Sequence, residues 1–78
     1  MDYSNLVDKF CQQYRGTLTR NNRLWFVLED GAWVKDSAFR KAKRIMSSFL
    51  TRNGFTAYRY LARFQTDVAQ VLKYSVNI

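Results

Sequence analysis

The sequence predicts a small α+β domain: a helix, a β-hairpin and two further helices, with an antiparallel sheet of two or three strands packed on the helices. Three observations predict it. Apolar residues recur with a helical period in three separate stretches. Between the first two lies Leu24 to Lys35, LWFVLEDGAWVK, rich in β-branched and aromatic residues on both sides of a Glu-Asp-Gly turn. And 78 residues are enough for one core and no more, so residues 1–78 read as a single domain.

The first helix is expected over 3–15. Leu6, Val7, Phe10, Cys11 and Tyr14 form one stripe, while Asp8, Lys9, Gln12 and Gln13 fill the other side. Asp2 or Ser4 can cap its start, and Gly16 fits a left-handed cap at its end. A polar connector follows, centred on Arg20-Asn21-Asn22-Arg23, in which Thr17-Leu18-Thr19 could add a short edge strand.

The hairpin has two registers. A two-residue Asp30-Gly31 turn pairs Leu28 with Trp33 and sends Trp25 and Trp33 to opposite faces. A three-residue Glu29-Asp30-Gly31 turn pairs Leu28 with Ala32. That gathers Phe26, Leu28, Ala32 and Val34 on one face and Trp25, Val27, Trp33 and Lys35 on the other. The second register is the expected one, because it makes a compact apolar face and brings both indoles beside a lysine.

A second helix is expected over 37–52, capped by Asp36 or Ser37. Its apolar line is Ala38, Ala42, Ile45, Met46, Phe49 and Leu50, and Asn53-Gly54 ends it. Thr56 then caps a third helix over 57–73, with Leu61, Phe64 or Gln65, Val68, Val71 and Leu72 facing inward. Arg63 can pair with Asp67 one turn on. The end, from Lys73 to Ile78, alternates weakly and could extend the sheet.

Charge is the strongest functional signal. Thirteen Lys and Arg stand against six Asp and Glu, a net +7 that draws polyanions. From Ser37 to Thr66 there are seven cations and no acid. Arg40, Lys41, Lys43 and Arg44 belong to the second helix, with Arg52 at its end; Arg59 and Arg63 belong to the third. A solvated helix face ordinarily mixes both signs, and like charges one turn apart oppose the helix, so phosphates are the natural counterpart. Arg20 and Arg23 add loop contacts, and Trp25, Trp33 and Lys35 make an aromatic face of the kind used for stacking bases. The short Gly-containing join between helices two and three is compatible with a helix-turn-helix whose second helix would present Thr56, Tyr58, Arg59 and Arg63 to a groove, although its patterning favours a plain helix pair.

Enzyme chemistry lacks its parts. With no histidine and one cysteine there is no ordinary zinc site and no thiol–imidazole pair. Gly16, Gly31 and Gly54 read as turn and helix-end residues rather than a phosphate-cradling loop, and no second carboxylate faces Glu29-Asp30. The expectation is a protein that is not an enzyme and needs no cofactor. Cys11, alone and inside an apolar stripe, points to a reducing compartment. MDYSNLVDKF lacks a signal-peptide core, and the longest apolar run is five residues, so a cytoplasmic, non-membrane protein is expected. The composition leaves homo-oligomerisation open.

Read together, Phe10…Tyr14-Arg15-Gly16, Leu24-Trp25-Phe26-Val27 and Asp30-Gly31-Ala32-Trp33-Val34-Lys35-Asp36 followed by a helix form a pattern. It resembles the N-terminal module ahead of the helicase part of phage, plasmid and poxvirus-type primase–helicases, where a W-x-V…D-G-x-W…D hairpin precedes helices. The resemblance covers roughly the first two thirds of the chain. It implies a viral or mobile-element protein of DNA replication that touches DNA, rather than RNA, or organises a helicase. The chain departs from that family in having no Walker A loop, no primase acids and no helicase part, which leaves an excised domain or a stand-alone protein as the two cases. The rival expectation is an accessory protein whose basic face binds an acidic surface, or occupies a nucleic-acid channel, of a host protein.

Overall fold

The computed structural model describes residues 2–72 and shows the α+β order expected, with a three-stranded sheet. Helix α1 (Tyr3–Tyr14) leads into strands β1 (Leu18–Asn21), β2 (Leu24–Glu29) and β3 (Ala32–Lys35), then helices α2 (Arg40–Arg52) and α3 (Ala57–Leu72). The strands form an antiparallel meander in the order β1-β2-β3. Residues 73–78, where a further strand was expected, lie outside the described residues.

Both hairpins turn on two residues. Asn22-Arg23 and Asp30-Gly31 all have positive φ (51°, 67°, 51° and 80°), the signature of type I′ turns, whose twist matches that of the flanking strands. The β2–β3 turn overturns the expected register. Leu28 pairs with Trp33, Val27 with Val34 and Phe26 with Lys35, so the indoles do not share a face. The physical reason is twofold. Asp tolerates the left-handed region that a two-residue turn needs. With Trp25 and Val27 facing the core, and Leu18 opposite Val27, this register puts Val34 on that face, where the alternative would bring the Lys35 ammonium to it.

The connector expected around Arg20 is instead mostly strand. Arg20 pairs with Trp25, and only Asn22 and Arg23 remain in the turn. Thr19 is buried, and its Oγ1 donates to the Leu72 carbonyl at 3.1 Å, tying β1 to the end of α3.

Each helix contributes one phenylalanine to the centre. Phe10 of α1 meets Phe49 of α2 edge-on at 5.1 Å and Phe64 of α3 at 5.2 Å. Such pairs contribute about 0.5–1.5 kcal/mol each beyond their buried area. Around them lie Leu6, Val7, Cys11, Ala42, Met46, Leu50, Val68 and Leu72. The expected stripes hold apart from three positions: Ala38 and Val71 are exposed, and Ala69 takes a buried place.

Helix ends differ more. Asp2 caps α1 by accepting from the Asn5 N–H at 3.0 Å. Gly16 does not adopt the left-handed conformation expected of it. Helix α2 begins at Arg40 rather than residue 37, because Ser37–Phe39 form a separate 3-10 turn in which Ala38 and Phe39 are left-handed (φ 60° and 55°). Asp36 reaches across this turn and accepts from the Lys41 N–H at 2.9 Å and the Ala42 N–H at 2.7 Å. The far end of α2 closes as expected. Gly54 is left-handed, its N–H bonds Thr51 O, and the Phe55 N–H bonds Leu50 O at 2.9 Å, the paired bonds of a Schellman motif.

Candidate nucleic-acid interface

The core pattern of α2 fixes where its charges go. With Ala42, Met46, Phe49 and Leu50 buried, a rotation of about 100° per residue turns Arg40 and Arg44 to the opposite side, one helical turn apart. Lys43 lies on the flank of this ridge, and all three are exposed. None has a hydrogen bond or ion pair among the described residues, so the ridge is positive and unneutralised.

The first turn of α2 does not itself offer an anion site. Two of its backbone donors already point at the Asp36 carboxylate. An external phosphate would have to be held by side chains.

Other expected site residues are already engaged. Lys41 forms an ion pair with Glu29 at the end of β2. Arg63 stacks over the Tyr3 ring at 4.3 Å and pairs with Asp67 at 3.7 Å, the partner expected for it. The Tyr3 hydroxyl donates to the same carboxylate at 2.8 Å, and burial, then that bond, push its pKa well above the ordinary phenol value. Arg52 lies over the Phe49 ring and donates to the Tyr14 hydroxyl and the Ser48 carbonyl. These contacts cover the aromatic core with cationic stems. Arg59 is exposed on the side of α3 away from Phe64 and Val68, with no partner among the described residues.

The aromatic face separates into two environments. Trp25 is 4 % exposed, lies 5.7 Å from the Phe39 ring, and has the Arg20 guanidinium over it at 5.3 Å. It is core and presents no face for a base to stack on. Trp33 is half-buried on the outer side of the sheet with Phe26, Leu28 and the exposed Lys35. A stacking platform beside a cation therefore survives with one indole rather than two.

Tyr58 is 98 % exposed at the start of α3, beside Arg59. Sequence reasoning placed it only in a helix-turn-helix groove. Lying three residues before Leu61, it falls within the apolar arc by helical period, so nothing in the pattern signalled that it would project from the surface.

Among the described residues, no group of His, Cys, Asp or Glu could hold a metal, and no helix is long and apolar enough to cross a membrane. Cys11 is buried, and burial pushes its thiol pKa up to about 11. A neutral, enclosed thiol is a packing group rather than a nucleophile. Set against protein-family models, curated proteins and solved structures, the chain matches none.

Proposed function

We propose that this protein binds nucleic acid, DNA before RNA, in the replication of a virus or mobile element. The observation that carries the binding is the ridge of Arg40, Lys43 and Arg44: three exposed cations without partners among the described residues, in a stretch from Ser37 to Thr66 that contains no acid. A stable fold has no use for such an arrangement, since like charges one turn apart oppose a helix by about 0.2–0.5 kcal/mol. Phosphate contacts by these three and Arg59 supply the compensation. Trp33 with Lys35, and Tyr58 with Arg59, offer rings beside cations for unpaired bases. The choice of DNA, and the replication setting, rest on the resemblance of the hairpin and its flanking helices to the primase–helicase module.

Fluorescence anisotropy with single- and double-stranded oligonucleotides tests this. Binding should weaken as salt rises, with a log–log slope of about −0.9 per duplex phosphate contacted and about −0.7 per single-strand phosphate. No binding at low salt sinks the reading. The second reading is a protein-binding adaptor or inhibitor whose basic face meets an acidic host surface or nucleic-acid channel. The exposure of Leu28 (37 %), opposite Trp33, and of Leu24 (39 %) further along the same outer face favours it, because such side chains are typical of protein contacts.

A further inference from the structure

The hairpin of β1 and β2 and the C-terminal half of α3 border an open cleft of about 500 Å³. Arg20, Asn21, Asn22 and Arg23 line it from the hairpin, and Thr66 and Gln70 from the helix. Among the described residues, Ala69 is its one apolar lining residue and no carboxylate lines it. The Thr66 hydroxyl already donates to the Ala62 carbonyl, but two guanidinium groups and the amides of Asn21 and Asn22, with no carboxylate among the described lining residues, suit an oxyanion.

Two features of the arginines sharpen this. Arg20 is half-buried, yet it has no anionic partner or hydrogen bond among the described residues. Its guanidinium carbon sits 5.3 Å from the Trp25 ring centroid. Stacking engages the flat face of the guanidinium, holds its orientation, and leaves the N–H edge for an acceptor. A partly desolvated cation without a counter-anion is unfavourable, and an oxyanion there would offset that. Arg23 occupies the second turn position with φ 67°, where glycine is easier. The turn thus holds a long cationic side chain at the rim at a conformational cost of about 1 kcal/mol.

We propose that this cleft binds a phosphate monoester, the dianionic group carried by a free mononucleotide or by the 5′ end of a nucleic-acid strand. Two guanidinium groups match a charge of about −2, whereas a backbone phosphodiester carries one negative charge. The cleft volume falls within the usual range for a small-molecule site. The site is built from the cleft lining alone and does not depend on the α2 ridge.

The test compares a 5′-phosphorylated oligonucleotide with its 5′-hydroxyl twin, and adds deoxyadenosine monophosphate alone, by calorimetry at fixed salt. A preference of at least about tenfold for the phosphorylated strand assigns the site to strand ends, since charge-assisted bidentate contacts discriminate on that scale. Saturable binding of the mononucleotide assigns it to free nucleotides. In either case Arg23→Ala, at the exposed tip, should remove most of the effect, and Arg20→Ala should do so in protein shown to be folded by circular dichroism. Arg40→Ala/Arg44→Ala should weaken both oligonucleotides alike and leave their ratio unchanged. Equal affinity for the twins with no mononucleotide binding overturns the proposal, even where both strands bind and the general nucleic-acid reading survives. Retention of the effect in folded Arg23→Ala and Arg20→Ala proteins overturns it as well.

Discussion

Leu28 pairs with Trp33 across the β2–β3 hairpin, and that pairing puts Trp33 on the outer sheet face, opposite the face by which Trp25 enters the core. Trp25→Phe leaves Trp33 as the only indole, which should emit at long wavelength and be quenched by acrylamide. Trp33→Phe leaves only Trp25, which should emit at shorter wavelength and resist the quencher. If single-stranded DNA stacks on the sheet, its quenching should persist in Trp25→Phe and vanish in Trp33→Phe. The reverse pattern would contradict the outer-face platform.

Trp25 carries a second expectation. Its Nε1 is buried without a partner among the described residues. Trp25→Phe removes core volume but also removes an unsatisfied donor, and the two effects oppose each other, each on the order of 1–3 kcal/mol. The net change in unfolding free energy should stay within about 1–2 kcal/mol, whereas Trp25→Ala should lose about 3–5 kcal/mol. Urea denaturation of both variants checks the contrast.

The parts of the fold legible in the sequence were those set by long-range periodicity. The stripes holding Phe10, Phe49 and Phe64 (the last an open choice with Gln65) marked three helices, whose inward rings then meet in the core. The parts that were not legible hinge on single left-handed residues. Asn22 and Arg23 turn a connector into a second hairpin, Asp30 shortens the first turn by one residue, and Ala38 and Phe39 delay α2 by three. None is glycine: Asn22 and Asp30 belong to the types that reach positive φ most readily, but Arg23, Ala38 and Phe39 have little claim to it. The site was legible to the same degree. The one-signed run on α2 and the Arg63–Asp67 pair one turn apart on α3 are plain in the sequence, but the engagement of Lys41 by Glu29, of Arg63 by Tyr3, and of Arg20 by Trp25 joins elements whose relative placement periodicity does not give.

Asp36 serves as a buried double cap, accepting from the Lys41 and Ala42 N–H groups. Asp36→Ala should destabilise the protein by about 2 kcal/mol, the upper end for an N-cap, with Asp36→Asn losing less because one acceptor oxygen remains. In urea the midpoint should fall at an unchanged m-value. A loss of a few tenths of a kcal/mol would show that the 3-10 turn holds α2 without the carboxylate.

Two glycines should respond to alanine with opposite sign. Gly54 has φ 83° with open space around the position of a Cβ, so Gly54→Ala meets backbone strain alone and should destabilise by about 1 kcal/mol. Gly16 is not left-handed, and nothing approaches its Cβ position. Gly16→Ala should therefore stabilise by about 0.4–1 kcal/mol, through a less flexible unfolded chain. Thermal unfolding of the pair distinguishes them.

The raised pKa of Cys11 makes alkaline stability depend on one buried thiol. In the unfolded chain it ionises near 9, and in the folded protein only near 11. The unfolded state therefore releases its proton first as pH rises. The Cys11 contribution is complete below about pH 9 and is lost progressively towards pH 11, at up to about 1.4 kcal/mol per pH unit. Cys11→Ala should flatten the fall in unfolding free energy over that window relative to the parent. At neutral pH a thiol reagent should modify the native protein only as fast as it opens.

The α2 ridge sets stability against binding. Arg40 and Arg44 repel each other one turn apart and have no partner among the described residues, so Arg40→Ala/Arg44→Ala should leave stability unchanged or raise it by about 0.2–0.5 kcal/mol. The same double variant should weaken oligonucleotide binding whatever the sequence, and make the salt slope shallower by about 0.9 for each duplex phosphate no longer neutralised. Lys41→Ala and Arg63→Ala should do less to binding, because Glu29 and Asp67 already hold those charges. They should instead lower stability, Arg63→Ala the more, since it also uncovers the Tyr3 ring. Equal losses of affinity from all four substitutions would mean that net charge alone attracts the polyanion, and would remove the ridge as a defined binding surface.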